Sequence, residues 1–293
     1  MRYRIVHRTE YVYHAPVSLC YNEARLLPRA TAAQTPADAA LVVEPTPLDM
    51  RRRTDFFGNA VVFFSIQQPH ETLRVTATSQ VAVHPQDSRA AAGGDLPWRE
   101  ARRRLAQGRS DPDLDARQYA APSPRIQIGA AVYDYARTVF SGDRGLLQST
   151  AELMHRIYRD FEYLPGTTTT TTPLKTLAAQ RRGVCQDFAH FAIGCLRSLG
   201  LPARYVSGYI ETLPPPGQVQ LKGADASHAW FAVYLPGTGW FDFDPTNDQQ
   251  PGAQHVTVAW GRDYADVVPL KGVIFSSGAH EMRVAVDVER IET

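Results

Sequence analysis

The apolar residues of this 293-residue chain change their spacing twice, and no other feature constrains the fold as much. Over the first 85 residues they alternate. Tyr3, Ile5, His7, Thr9, Tyr11 and Tyr13 fall on one side of an extended segment, and Arg2, Arg4, Val6, Arg8, Glu10 and Val12 on the other. Only a β-strand lines a period of two up on one face. "ALVVEP", "AVVFFSI" and "ETLRVTATSQVAVH" supply further strands, and "DFFGN" (Asp55 to Asn59) carries the Gly-Asn chemistry of a turn between two of them. Residues 1–85 are therefore expected to form a β-rich, sandwich-like domain.

Residues 86–126 break the pattern. "PQDSRAAAGGDLP" and "GRSDPDLDARQYAAPSP" are rich in Gly, Pro, Asp and Ser, which is linker composition, and "WREARRRLAQ" between them reads as one short basic helix with a solvated face. From residue 127 the period becomes helical. Ser149 and Glu152 have capping-box spacing ahead of Leu153 and Ile157, and Thr172 is placed as an N-cap with Pro173 at the first helical position. In "GVCQDFAHFAIGCLRSLG", Val184, Phe188, Phe191, Cys195 and Leu199 form one stripe, and Gly200 stops the helix.

After Gly200 alternation returns in "ARYVSGYIET", "HAWFAVYL" and "GWFDFDP", with turns at "LPPPGQ" and "LPGTG" and further strand in the tail "HEMRVAVDVERI". Strands, then helices, then strands predict an α+β fold. Residues 127–293 are expected to be its core, with the C-terminal strands included.

With 44% hydrophobic residues the chain can bury a sizeable core. Its net charge of +1 argues against nucleic acid or acidic lipid as partner. No run of eighteen apolar residues occurs, which argues against a membrane span, and "MRYRIVHRTEYVYHAP" lacks the apolar region of a secretory signal, so the expected location is cytoplasmic.

Three cysteines are an odd number for a disulfide framework. On one helix Cys185 and Cys195 lie roughly 15 Å apart, against about 7 Å at most for a bridge, so each needs its own explanation. Cys195 sits on the apolar stripe and is read as packing. Cys185 stands in the first turn, where free backbone N–H groups and the positive end of the helix dipole favour a thiolate.

His228 opens a later strand and shares its face with Trp230, Ala232 and Tyr234, while Asp242 and Asp244 share one face of the next strand. A carboxylate beside a core strand is costly unless paired, and a histidine on the adjacent strand would pair it. Thiolate, imidazole and carboxylate are the parts of nucleophilic acyl transfer. His190 lies about 140° around the helix from Cys185, too far to be its base, and is expected to hydrogen-bond within the fold. Gln186 and Asp187 are candidates for contacts behind the site or for capping the helix. Trp230 and Trp240 are candidates for core or pocket wall, and Trp230 also for a contact behind the site. No histidine pair has zinc spacing and no acidic loop suits calcium, so no metal or other cofactor is expected.

"GVCQDFAHF", "LGLPARYVSGY", "HAWFAVYLPGTGW" and "DFDPTN" together resemble the transglutaminase-like superfamily, in the bacterial branch with a β-rich N-terminal domain. "TEYVYHAPVSLCYNEARLLPR" and "GRDYADVVPLKGV" resemble the same branch, so the likeness spans all but the region around residues 86–125. It implies a papain-like α+β core with Cys185 at a helix start and His228 and Asp244 on an antiparallel sheet. Asp244, followed by Pro-Thr, matches the family's aspartate better than Asp242 does. The resemblance also suggests Tyr163, upstream of the nucleophile, as a second oxyanion donor beside the Cys185 backbone N–H.

The implied activity is acyl transfer at an amide of a protein or peptide substrate through a Cys185 thioester. Water as acceptor makes it a protease or amidase, which is preferred, and an amine makes it a transglutaminase. Competing readings are a non-catalytic scaffold retaining the fold and an arylamine-type acetyltransferase, for which no coenzyme A signature is visible.

Overall fold

The computed structural model describes residues 1–84, 94–211, 227–276 and 278–291. Its N-terminal strands are β1 (Arg2–Val17), β2 (Leu19–Ala24), β3 (Gln34–Glu44), β4 (Asp49–Thr54), β5 (Ala60–Ile66) and β6 (His70–Val83). The alternation in β1 is realised as read, with Tyr3, Ile5, His7, Thr9 and Tyr13 buried and Arg2, Arg4 and Arg8 exposed. The Asp55–Asn59 turn joins β4 to β5, closed by Asp55 N–H to Asn59 O at 3.0 Å, and Gly58 takes the left-handed φ of +77° that this turn requires.

The C-terminal strands correct the expected division of the chain. β13 (Leu270–Phe275) and β14 (His280–Arg290) do not join the core sheet. They complete two four-stranded sheets of the N-terminal half, in the orders β14-β1-β6-β3 and β13-β2-β5-β4. The physical reason is the length of β1: with β6 on one side, its other edge would stay open, and β14 covers it from Tyr3↔Arg290 to Tyr13↔His280. The two sheets enclose a core of Tyr13, Val17, Cys20, Phe64, Ile66 and Leu73. Tyr3 and Ile5, at the other end of β1, instead join the large core of the helical half together with Val286 and Val288.

The segment read as linker is also largely packed. Residues 94–126 form α1 (Trp98–Gln107) and α2 (Asp111–Arg117), and Trp98, Ala101, Leu105, Ala116, Tyr119 and Ile126 are buried. The core continues with α3 (Ala130–Arg137), α4 (Leu146–Asp160), α5 (Leu174–Gln180) and α6 (Cys185–Ser198), and short strands β7 (Glu162–Tyr163) and β8 (Arg182–Gly183) lead into α6. A second antiparallel sheet carries β9 (Ala203–Ile210), β10 (Ser227–Leu235), β11 (Gly239–Phe243) and β12 (His255–Gly261) in the order β11-β10-β9-β12.

Two helix starts differ from expectation. α4 begins at Leu146, so Ser149 lies inside it, and the cap comes from far upstream: Asp95 accepts from the N–H of Leu147 and Gln148, both at 2.9 Å. α5 begins one residue later than read, with Pro173 as N-cap, because the Thr172 hydroxyl is taken by the N–H of Thr169. The expected "LPPPGQ" turn falls outside the described residues. No helix among them is long and apolar enough to cross a membrane.

α6 is the central helix, buried on every side from Asp187 to Arg197, and it packs on β9 and β10 with α3, α4 and α5 around it. The single stripe that was expected is therefore only part of its apolar surface. Val184 serves as N-cap and Leu199 as C-cap.

Candidate active site

α6 starts at Cys185 because the chain is extended up to Val184 and then captured by a carboxylate. Asp187 reaches back to accept from the Val184 N–H at 2.9 Å, and the Thr168 hydroxyl donates to it at 2.6 Å. Asp187 is thereby a helix-capping group, as one of its two readings had it, and burial pushes its carboxyl up against the two hydrogen bonds that lower it. Cys185 is half-buried while Cys20 and Cys195 are buried, and all three are free thiols. The backbone N–H groups of Cys185 and Gln186 donate to no acceptor among the described residues.

His228, near the start of β10, stands close enough to Cys185 for the two groups to interact electrostatically and places its Nε2 2.7 Å from Asp244 Oδ2. The strand register explains the approach. Phe231 pairs with Phe243, so Asp244 leaves β11 on the side where His228 stands. Opposite His228 on β9 is Gly208, where a Cβ would come within 2.6 Å of the Trp230 indole and 2.1 Å of Val256 O. The missing side chain makes the room in which Trp230 packs, with its ring centroid 6.0 Å from that of His228. Trp230 is fully buried.

Asp244 is 0% exposed and is held by donors on both oxygens. Oδ2 also accepts from Asn247 Nδ2 at 2.8 Å and from His255 Nε2 at 3.1 Å, and Oδ1 accepts from the backbone of Thr246 at 3.0 Å and Asn247 at 3.3 Å. Burial alone would raise this carboxyl, but the His228, His255 and Asn247 hydrogen bonds outweigh it and hold Asp244 well below the usual carboxylate range. Burial likewise opposes charge on His228, yet Asp244 and Cys185 together push its pKa up to about 9. An imidazolium is thereby favoured beside the sulfur at neutral pH.

Sequence reasoning missed His255 and Asn247. Asn247 was visible three residues beyond Asp244 in "DPTN", but His255 reaches the site only through the pairing of β12 with β9, which no local pattern discloses. The other sequence-derived residues separate. His190 accepts from the Tyr264 N–H at 3.1 Å, as expected of it. Tyr163 lies on β7, paired with Gly183 just before the nucleophile, and its exposed phenol is close enough to Cys185 to interact electrostatically. Asp242 points elsewhere on the sheet, toward Arg204 and His255. For Gln186 no side-chain hydrogen bond is present among the described residues.

His228, Asp244 and His255 bring three potential metal-ligand atoms within 4.8 Å of one another. Their hydrogen bonding does not suit a cation. His255 Nδ1 accepts from the Gly252 N–H at 3.4 Å, which leaves its proton on Nε2, and both imidazoles then donate to the same Asp244 oxygen. A metal would have to displace both bonds.

A buried helix opening on cysteine, set against an antiparallel sheet that presents an imidazole–carboxylate pair, defines the papain-like and transglutaminase-like class of α+β protein. Residues 3–82 match the bacterial transglutaminase-like N-terminal region and residues 133–245 match the transglutaminase-like superfamily. The chain belongs to this superfamily. It is 39% identical to the uncharacterized protein Rv2569c of Mycobacterium tuberculosis over 99% of this chain and 93% of that one. It is also 34% identical to the uncharacterized protein ML0607 of Mycobacterium leprae over 99% of both. A crystal structure of a candidate cysteine protease from Cytophaga hutchinsonii superposes with a TM-score of 0.75 at 23% identity, covering 100% of this chain and 92% of that one, which shows a shared fold.

Proposed function

We propose that the protein is a cysteine-nucleophile acyl-transfer enzyme that hydrolyses an amide of a protein or peptide. The observation that carries this is the alignment of the Cys185 side chain, at the open N-terminus of α6, with a His228–Asp244 pair at 2.7 Å. Asp244 occupies Nε2, so Nδ1 is the ring nitrogen left for the sulfur. The thiolate adds to the amide carbonyl and forms the C–S bond, and the free N–H groups of Cys185 and Gln186 are placed to receive the oxyanion. His228 then gives its proton to the departing nitrogen as the C–N bond breaks, leaving a thioester and a neutral imidazole. That imidazole takes a proton from water as water attacks, the C–S bond breaks as the carboxylic acid leaves, and the thiolate–imidazolium pair is restored. Tyr163, on the strand beside Gly183, is the further oxyanion donor of this proposal.

An amine acceptor shares the whole acylation half-reaction. Incubation of a glutamine peptide with and without a primary amine separates the two by product mass. The first test is alkylation by iodoacetamide with mass-spectrometric mapping in wild type and His228→Ala. The proposal expects Cys185 alone to react fast near neutral pH and to slow by about tenfold or more without His228, because an ordinary thiol of pKa about 8.5 is only a few per cent thiolate there. Equal reactivity in the two proteins would refute it.

A further inference from the structure

Arg197 and Arg204 are both buried in the core, at 2% and 8% exposure, and are treated in opposite ways. Arg197 is saturated: it donates to Ala203 O at 3.2 and 2.9 Å, to Ser123 Oγ at 3.0 Å and to Arg262 O at 2.6 Å. Arg204 donates to no acceptor among the described residues, and its Nε is fully enclosed without a partner. A guanidinium withdrawn from water without acceptors is costly, so its surroundings need a reason.

Those surroundings are a cavity of about 460 Å³ on the face of the core sheet turned away from α6, closed on the far side by Thr31–Ala33 and Phe56–Phe57 of the N-terminal half. The Arg204 Cζ lies 4.4 Å from the Trp240 ring centroid and 3.7 Å from that of Trp260. Two indoles thus cover the guanidinium while its terminal nitrogens meet no acceptor among the described residues. Arg29 lies 3.2 Å from the same Trp260 centroid, and the two cations flank one indole. Nearby stands Tyr119, whose hydroxyl has no hydrogen-bond partner among the described residues, and Phe57 and Trp240 add aromatic wall.

The compensating charge is incomplete. Arg204 and Asp242 lie in one row across the sheet with Ala232 between them, and the small alanine lets the two side chains approach. They nevertheless make no ion pair within 4.0 Å, and Asp242 Oδ1 has no donor. Asp242 and the exposed Asp115, which also lines the cavity and accepts from Gln118 Nε2 at 2.7 Å, soften the field of Arg29 and Arg204, which suits a singly charged ligand better than a dianion.

We infer that this cavity is a binding site for a small aromatic carboxylate, its carboxylate held by the fork of Arg204 with the Tyr119 hydroxyl as a further donor and its ring against Phe57 and Trp240. Two parallel N–H···O bonds from a guanidinium match a carboxylate in geometry and charge, and the volume is that of a small-molecule pocket. Arg204 lies apart from the candidate catalytic centre: it pairs with Ala232, four residues along β10 from His228, roughly 13 Å at ~3.3 Å per residue. The site joins the two halves of the molecule and gives the N-terminal domain a role in ligand recognition.

The test uses the full chain, with 3-phenylpropionate and its neutral twin 3-phenylpropionamide titrated against intrinsic tryptophan fluorescence, and indole-3-acetate against its amide by calorimetry. At least one acid is expected to bind saturably and its amide to bind roughly tenfold more weakly or worse, as befits loss of a charge-assisted pair. Arg204→Lys keeps the charge, removes the fork and is expected to weaken the acid by a similar factor, whereas Cys185→Ala leaves its affinity unchanged. Absence of saturable binding by both acids, equal affinity of acid and amide, or undiminished binding in Arg204→Lys would each overturn the inference. If the variant fails to fold, the comparison of acid with amide in wild type decides alone.

Discussion

His255 Nε2 lies 3.1 Å from the same Asp244 oxygen that accepts from His228 at 2.7 Å, so one buried carboxylate orients two imidazoles. Only His228 also meets a thiol. The Gly252 N–H at its other nitrogen leaves Nε2 of His255 as the atom that donates to Asp244. His255 is a positioning residue that acts through Asp244.

Replacing it should loosen that carboxylate. His255→Gln is expected to cost about 1.5–3 kcal/mol, the range for a hydrogen bond to a charged group, read by urea unfolding. It should also weaken the acid resistance of the fold. The lowered carboxyl of Asp244 contributes stability that is complete above about 4 and is lost as pH falls through its folded value. With one donor fewer the acid transition should move to higher pH. An unmoved transition would show that His255 does not hold Asp244.

The His228 pair sets the alkaline limit. Its pKa is raised from 6.5 to about 9, so the pairing contributes stability that is complete below 6.5 and disappears as pH rises through about 9. Because acylation needs the imidazolium to protonate the departing nitrogen, its single-turnover rate should fall over the same interval. Stopped-flow acylation with an anilide substrate between neutral pH and about 10 tests this. A limb near 6.5 would mean that Cys185 and Asp244 do not hold the proton.

Asp244→Asn keeps the shape of the side chain and removes its charge. The amide presents a donor where both imidazoles need an acceptor, so the preferred His228 tautomer should be lost. Turnover should fall by up to about 10,000-fold, the loss known when a triad carboxylate is neutralised. Steady-state kinetics with the same anilide reads the loss. An effect within tenfold would remove Asp244 from the proposed machinery.

How much of this was legible in the sequence depends on how local each cause is. The alternation of Tyr3 to Tyr13 and the opening of α6 at Cys185 are set by neighbouring residues, and the structure has both. The resemblance singled out Asp244 over Asp242, and the register of β10 with β11 brings Asp244 to His228. What could not be read is what depends on distant chain. Asp95 caps a helix more than fifty residues away, His255 arrives on β12, and the emptiness around Arg204 needs Phe57 from the other half of the molecule. Linker composition misled because Gly, Pro and Asp also suit tight, packed turns: Ser110 caps α2, with Pro112 in its first turn.

The C-terminal strand is the most consequential of these distant effects. β14 covers β1, and its Val286 and Val288 are buried with Tyr3 and Ile5 in the core of the helical half. Arg290 donates to Glu211 at 2.7 Å and the Tyr3 hydroxyl to the same oxygen at 3.0 Å, so the end of β14, the start of β1 and the residue after β9 meet at one carboxylate. A chain ending at Ala279 would lose two buried valines, about 1.5–3 kcal/mol each, and leave Glu211 with no cation in place of Arg290. It would also expose the whole edge of β1, a template for pairing with other chains. The truncated protein is expected to melt at a lower temperature and to associate at micromolar concentration, read by calorimetry and light scattering. A truncated chain that stayed monomeric and melted like the full one would show that the two halves hold together without β14.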